Sequence, residues 1–237
     1  MTKVAVITGA SRGIGKAVAQ QLATDGYQTV LIARNNDKLK AVASEISNSG
    51  NGIQPLCIAL DVSDERLVKA AIEQVQQQFS RIDVLFNNAG VSQRGDSSVT
   101  SDEFKRHMDI NVYGAFYFIH YIAPLMKQQR SGYIINVASR VALAASKLHF
   151  AYGASKAALR NMSASLLREL ISYNIKVTTI FPSPTNTEMN KTPIATAEKI
   201  PVDDYAYCVH YLLSLSPNTC IEELYLQCRQ VILEQEK

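Results

Sequence analysis

Val4-Ala5-Val6-Ile7-Thr8-Gly9-Ala10-Ser11-Arg12-Gly13-Ile14-Gly15 opens the chain and decides its fold. A short apolar run leads into three closely spaced glycines, and an amphipathic helical run follows. Gly9 permits a tight turn, Gly13 lets the backbone approach a pyrophosphate, and Gly15 lets helix and strand pack closely. The free amides of the helix start, reinforced by its dipole, hold negative charge. Glycines alone are a weak signal; glycines between a strand and a helix point to a dinucleotide. Gly9, Ser11, Arg12, Gly13, Ile14 and Gly15 are therefore candidate cofactor-binding residues.

Outward from this loop, strand-like and helical runs alternate. The expected strands are Val4–Thr8, Gln28–Ala33, Ile53–Ala59, Val84–Asn87, Tyr133–Ala138, Lys176–Phe181 and Glu223–Gln227. The expected helices are Gly13–Thr24, Asp37–Ser49, Asp64–Phe79, Ser101–Met126, Ala151–Tyr173 and Asp203–Leu215, with Asp64 as an N-cap. Most strands are apolar throughout, as strands covered on both faces are. The pattern predicts an α/β protein, a doubly wound, Rossmann-type parallel sheet of about seven strands with helices on both faces, in one dinucleotide-binding catalytic domain over residues 1–237. Asn186–Pro201 has little periodicity and reads as a mobile excursion beside the site.

Composition narrows the function. The 237 residues carry 24 Lys+Arg against 21 Asp+Glu, a net charge of +3 spread along the chain, which excludes a nucleic-acid binder held mainly by charge. A chain 47% hydrophobic and 19% charged is not disordered. No apolar run reaches the roughly 18 residues of a membrane span, and no signal-peptide core is present, so a cytoplasmic protein is expected. Cys57, Cys208, Cys220 and Cys228 form no CxxC pair and read as reduced. His107, His120, His149 and His210 match no metal spacing, so no metal site is expected.

The second strand ends Ile32-Ala33-Arg34-Asn35. An NAD site places an acid here for the ribose hydroxyls, whereas a guanidinium pairs with a 2′-phosphate. Arg34 thus predicts NADP(H), with Asp37 an awkward acidic neighbour.

Tyr152-Gly153-Ala154-Ser155-Lys156 puts a phenol and an ammonium on one helix face, one turn apart. An unperturbed tyrosine, near pKa 10, is too weak an acid for catalysis near neutrality. Making it a hundred- to thousandfold more acidic takes about 3–4 kcal/mol. One ammonium ~4 Å away supplies roughly that at an effective dielectric of about 20. Ser139, thirteen positions upstream of Tyr152, ends a strand and offers a donor to a carbonyl oxygen. Asn87-Asn88-Ala89-Gly90 ends the fourth strand at the same crevice, and Asn111 stands at the start of a long apolar stretch.

Taken in order, TGASRGIG at Thr8–Gly15, Asp61-Val62, NNAG at Asn87–Gly90, Asn111, Ser139 and YxxxK at Tyr152–Lys156 resemble the short-chain dehydrogenase/reductase family over nearly the whole chain. The resemblance implies hydride exchange between NADP(H) and a small carbonyl or alcohol substrate, such as a 3-oxoacyl or small carbonyl compound. It implies Tyr152 as acid/base, Lys156 as holder of the nicotinamide ribose, Ser139 as carbonyl polariser and Asn111 as anchor of a proton-relay water. Asp61 and Val62 would meet the adenine, and Asn88, Ala89 and Gly90 would line the cofactor groove. Pro182, Thr185 and Thr187 would lie on the nicotinamide side, although Phe181-Pro182-Ser183-Pro184-Thr185-Asn186-Thr187 has Ser183 and Thr185 where the family has glycine and valine. The C-terminal end lacks the glycine-rich segment of many bacterial 3-oxoacyl reductases. The apolar helix around Tyr113–Tyr121 implies a homodimer or homotetramer. A dinucleotide-sensing regulator without turnover is the alternative; such regulators typically lose the tyrosine or lysine, and both stand here. A sugar-nucleotide epimerase has too little room at the C-terminus.

Overall fold

The computed structural model describes residues 2–49, 52–190 and 192–235. The elements run β1 (Val4–Thr8), α1 (Gly13–Thr24), β2 (Gln28–Ala33), α2 (Asn36–Asn48), β3 (Leu56–Ala59), α3 (Glu65–Gln78), β4 (Val84–Asn87), α4 (Ser101–Met108), α5 (Gly114–Gln129), β5 (Gly132–Val137), α6 (Phe150–Leu170), β6 (Ile175–Pro182), α7 (Val202–Ser214), β7 (Glu223–Leu226) and α8 (Arg229–Gln235). The strands pair in the order β3-β2-β1-β4-β5-β6-β7, every pair parallel.

Side-chain alternation along β1 builds two cores. Ala5 and Ile7 pack with Leu22 of α1, Leu39 and Val42 of α2, and Tyr205 and Val209 of α7. Val4 and Val6 pack on the other face with Val68 and Ile72 of α3, Phe118 and Ile122 of α5, and Leu167 of α6. Strands buried on both faces account for the unbroken apolar runs. The chain leaves β1 toward β2 on one side and returns at β4 on the other, so a crevice opens at the carboxyl ends of β1 and β4.

Three departures from the expected boundaries have local causes. β3 begins at Leu56 rather than Ile53, because Pro55 has no N–H for the ladder. The helix expected over Ser101–Met126 is α4 and α5 joined by a π-helical segment, Asp109–Tyr113, which holds Asn111. α8 follows β7 where no helix was expected. Asp64 caps α3, its carboxylate accepting from the amides of Arg66 (3.0 Å) and Leu67 (3.4 Å).

Candidate active site

A cleft of about 1250 Å³ lies along the carboxyl edge of the sheet. Gly9, Ser11, Arg12, Gly13, Ile14, Arg34, Asp61, Val62, Asn88, Ala89, Gly90, Ser139, Tyr152, Lys156, Pro182, Thr185 and Thr187 all line it. Gly15 and Asn111 do not; both work behind its wall.

The glycine-rich turn has the expected backbone. Gly9 (φ +66°) and Gly13 (φ +55°) are left-handed, a conformation that disfavours side chains. A Cβ on Gly15 would collide with the Gly9 carbonyl oxygen, so this glycine serves helix–strand approach. No side chain caps the first amides of α1. Thr8 ties the turn to β4, its Oγ1 accepting from the amides of Asn88 (2.9 Å) and Ala89 (3.0 Å), while Asn88 Nδ2 donates to the Thr8 carbonyl (3.1 Å).

At the far end, Arg34 is joined by Lys38, four residues on, as a cleft-lining cation. Asp37 lies in the first turn of α2 and is not among the lining residues. Burial opposes ionisation of Asp61. The Ser63 amide (3.0 Å) and hydroxyl (2.7 Å), with Arg34 and Arg106, outweigh it and hold the carboxyl below its ordinary range.

The chemistry-bearing groups meet where β5 ends and α6 begins. Ser139 follows β5, Tyr152 lies in the first turn of α6 and Lys156 one turn later. The Ser139 hydroxyl accepts from the Val141 amide (3.4 Å) and lies near enough to the Tyr152 phenol to lower its pKa. Lys156 is 4% exposed, and its Nζ donates to the Val137 carbonyl at 2.7 Å. A side chain at Gly90 would press on Asn111 Oδ1 (3.0 Å) and Lys156 Nζ (3.5 Å), so these three groups converge behind the tyrosine.

The acidification expected at Tyr152 is absent. Burial raises the phenol pKa, and only the neighbouring Ser139 hydroxyl lowers it. The ammonium is itself held down at about 8 by burial and is turned onto a backbone carbonyl. Helix spacing places two residues on one face but says nothing of desolvation, which here raises the phenol and lowers the amine.

Asn111 is fully engaged with protein. Its Oδ1 accepts from the Val91 amide (2.8 Å), and its Nδ2 donates to the Val91 carbonyl and Ser155 Oγ (both 2.9 Å). A π-helical turn is frequent at functional sites, and here it carries the asparagine that braces the loop after β4. Thr185 is likewise occupied: its Oγ1 bonds to the Ser183 carbonyl and the Tyr205 hydroxyl, both at 2.8 Å. Ser183 Oγ, by contrast, is buried beside the cleft with no partner among the described residues.

Sequence reasoning missed several groups. His107, which the sequence marked only as matching no metal spacing, is 2% exposed with its ring 6.3 Å from that of Tyr152. Its Nδ1 donates to the Glu103 carbonyl (2.8 Å) and its Nε2 accepts from the Gln93 amide (3.2 Å). A lone histidine carried no signal for this. Glu188 pairs with Arg12 across the cleft mouth, joining the glycine-rich turn to the segment after β6. That segment is anchored: Asn186 N–H donates to the Ile200 carbonyl (2.8 Å) and Ile200 N–H to the Pro184 carbonyl (3.0 Å). Among the described residues no group of three or more His, Cys, Asp or Glu is arranged to hold a metal, and no helix is long and apolar enough to cross a membrane.

The family described as short chain dehydrogenase matches residues 3–198. The chain belongs to it. An uncharacterized oxidoreductase of Staphylococcus aureus is 34% identical over 226 residues, 94% of this chain and 95% of the relative. Among solved structures, an alcohol dehydrogenase from the archaeon Thermococcus sibiricus, complexed with 5-hydroxy-NADP, superimposes with TM-score 0.89 at 28% identity, covering 97% of both chains. A metagenomic short-chain oxidoreductase in complex with NADP gives 0.84 at 31% identity, covering 95% of this chain and 96% of that one. A betaketoacyl-[ACP] reductase from Bacteroides thetaiotaomicron gives 0.86 at 37% identity, covering 98% and 100%. This short-chain dehydrogenase is thus an oxidoreductase with a Rossmann-type sheet.

Proposed function

We propose that this short-chain dehydrogenase reduces a carbonyl compound with NADPH. The observation that carries the reading is that the Ser139 hydroxyl and the Tyr152 phenol, with Lys156 one turn on, line one wall of a cleft whose other end is a left-handed glycine turn. The cleft fits a dinucleotide: α1 offers amides that no side chain caps, and the Ser183 hydroxyl lacks a protein partner beside the nicotinamide end. Arg34 and Lys38 line the cleft at this end while Asp37 does not, which favours the 2′-phosphorylated form.

A bound NADPH would supply the hydride for the carbonyl carbon. Ser139 would hold the carbonyl oxygen and Tyr152 would deliver the phenolic proton to it. Burial raises the phenol pKa, so Tyr152 holds the proton that the reductive direction consumes, as a weaker acid than a free tyrosine. Lys156, one turn away, stands ready to hold ribose hydroxyls. Asn111 acts through the Val91 loop that it braces.

The helices also support self-association. Tyr113, at the end of the π-helical segment, and Phe116, His120 and Pro124 of α5 are exposed along one stripe, and α6 exposes the small Ala154 and Ala157. Such faces suit a close helix–helix interface in a homodimer or homotetramer.

The test is NADPH oxidation over a panel of ketones. General acid catalysis is worth about 10²–10⁴-fold, so Tyr152→Phe is expected to lose at least about a hundredfold in kcat with NADPH affinity retained. Turnover near the parent level in that variant would remove Tyr152 from the acid's role.

A further inference from the structure

Around Ser139 and Tyr152 the cleft wall carries positive charge. Arg94 and Arg140 both line the cleft there, beside Ser139, Tyr152 and His149. Backbone pairing fixes their placement. Gly95 N–H donates to the Leu148 carbonyl and Phe150 N–H to the Gly95 carbonyl, both at 3.0 Å, so the strip bearing Arg94 runs alongside His149. Arg140 follows Ser139 directly in the turn after β5. His149, ring 5.9 Å from that of Tyr152, registers both cations: burial first, then Arg94 and Arg140, disfavour its charged form.

Among the described residues no carboxylate lies within ion-pair distance of either guanidinium; every salt bridge involves other groups. The acids near this end are committed elsewhere. Asp96 accepts from the Ser98 amide (2.9 Å) and hydroxyl (2.7 Å). Glu103 caps α4 and takes the Gln93 side chain (2.6 Å). Glu188 is bound to Arg12. The phosphates of a dinucleotide would lie on the glycine turn and at Arg34, the opposite end. Two guanidinium groups without a carboxylate partner, lining the same cleft as Tyr152 and acting on the neighbouring His149, suit an anion, since carboxylate and phosphoryl oxygens match their fork of N–H donors.

We propose that the substrate is an anionic oxo compound, its carboxylate or phosphoryl group held by Arg94 and Arg140 while its carbonyl meets Ser139 and Tyr152. This rests on the reductase reading above and narrows it to a substrate class.

The experiment uses matched probes: acetoacetate beside methyl acetoacetate for the carboxylate source, and hydroxyacetone phosphate beside hydroxyacetone for the phosphoryl source. Each is assayed for NADPH oxidation, and each is titrated calorimetrically into NADPH-loaded Tyr152→Phe protein, where binding is read without turnover. At least one anionic member is expected to exceed its neutral partner by about tenfold or more in kcat/KM and in affinity. Which pair shows the larger ratio names the source. Arg94→Gln and Arg140→Gln are expected to bring that ratio toward one, and added salt to lower it. Lys147→Gln, whose side chain lies outside the cleft, keeps it. Equal handling of neutral and anionic members, or a ratio indifferent to both arginine substitutions, would overturn the anionic assignment and leave the reductase standing. Tight, arginine-dependent binding of an anionic probe with no turnover of any probe would instead count against the reductase reading.

Discussion

Lys156 shows what burial costs a single residue. Its amine has an ordinary pKa of 10.5 but is held at about 8 in the fold, and desolvation is the cause. Below about 8 both folded and unfolded chains carry the proton, so the cost of a buried ammonium is present in full, about 3 kcal/mol by linkage. Between about 8 and 10.5 the unfolded chain binds more protons than the folded one, and stability rises with pH. Lys156→Met is expected to flatten that rise in urea unfolding measured at pH 7.5 and 10, and to be at least as stable as the parent at pH 7.5 while losing turnover. A variant that keeps the same pH slope would assign the slope to another group. Arg34 makes the second prediction at this scale. Charge-assisted hydrogen bonds are worth about 1.5–3 kcal/mol, so Arg34→Ala is expected to weaken NADPH binding about 10- to 100-fold and NADH binding hardly at all. Equal losses for both would refute the 2′-phosphate role.

Among elements, the π-helical segment Asp109–Tyr113 has the clearest consequence. It interrupts what would otherwise be one helix and sets Asn111, 1% exposed, against Val91 and Ser155. Three hydrogen bonds at 2.8–2.9 Å tie the segment to the loop after β4 and to α6. Replacing Asn111 by Leu strands the Val91 amide and carbonyl, each costing about 1–3 kcal/mol when buried without a partner. The expected result is about 2–4 kcal/mol of lost stability in denaturant unfolding, with the KM for the carbonyl substrate raised because Val91, Ser92 and Gln93 line its side of the cleft. A loss below about 0.5 kcal/mol would show that water takes over these bonds. The Arg12–Glu188 pair is different in kind. Both side chains are more than half exposed, and such pairs contribute little to stability; its place across the cleft mouth matters more than its energy.

For the whole molecule the decisive feature is apolar surface. Tyr113 is 49% exposed and Phe116 40% exposed on the same helix stripe, while the opposite face of α5 lies in the core. Light scattering at micromolar concentration is expected to give a mass of two or four chains, and Phe116→Glu to lower it. A monomeric parent would show that the stripe is covered by something other than a second copy.

The fold was legible because its signals are local. The period of the strands, the glycine turn and the Asp64 cap each follow from a few neighbouring residues. So was the membership of the cleft, since Gly9, Arg34, Ser139, Tyr152 and Lys156 stand at strand ends or helix starts that the doubly wound topology must bring to one edge. What those residues experience was decided only in three dimensions. Desolvation of Tyr152 and Lys156, the capture of Asn111 by Val91, the placement of His107 behind the tyrosine and the approach of Arg94 to His149 join residues from 14 to 55 positions apart. Pattern fixes which face a residue occupies. Dielectric and hydrogen-bond partners belong to the packed whole, because each depends on every chain segment that excludes water from the group.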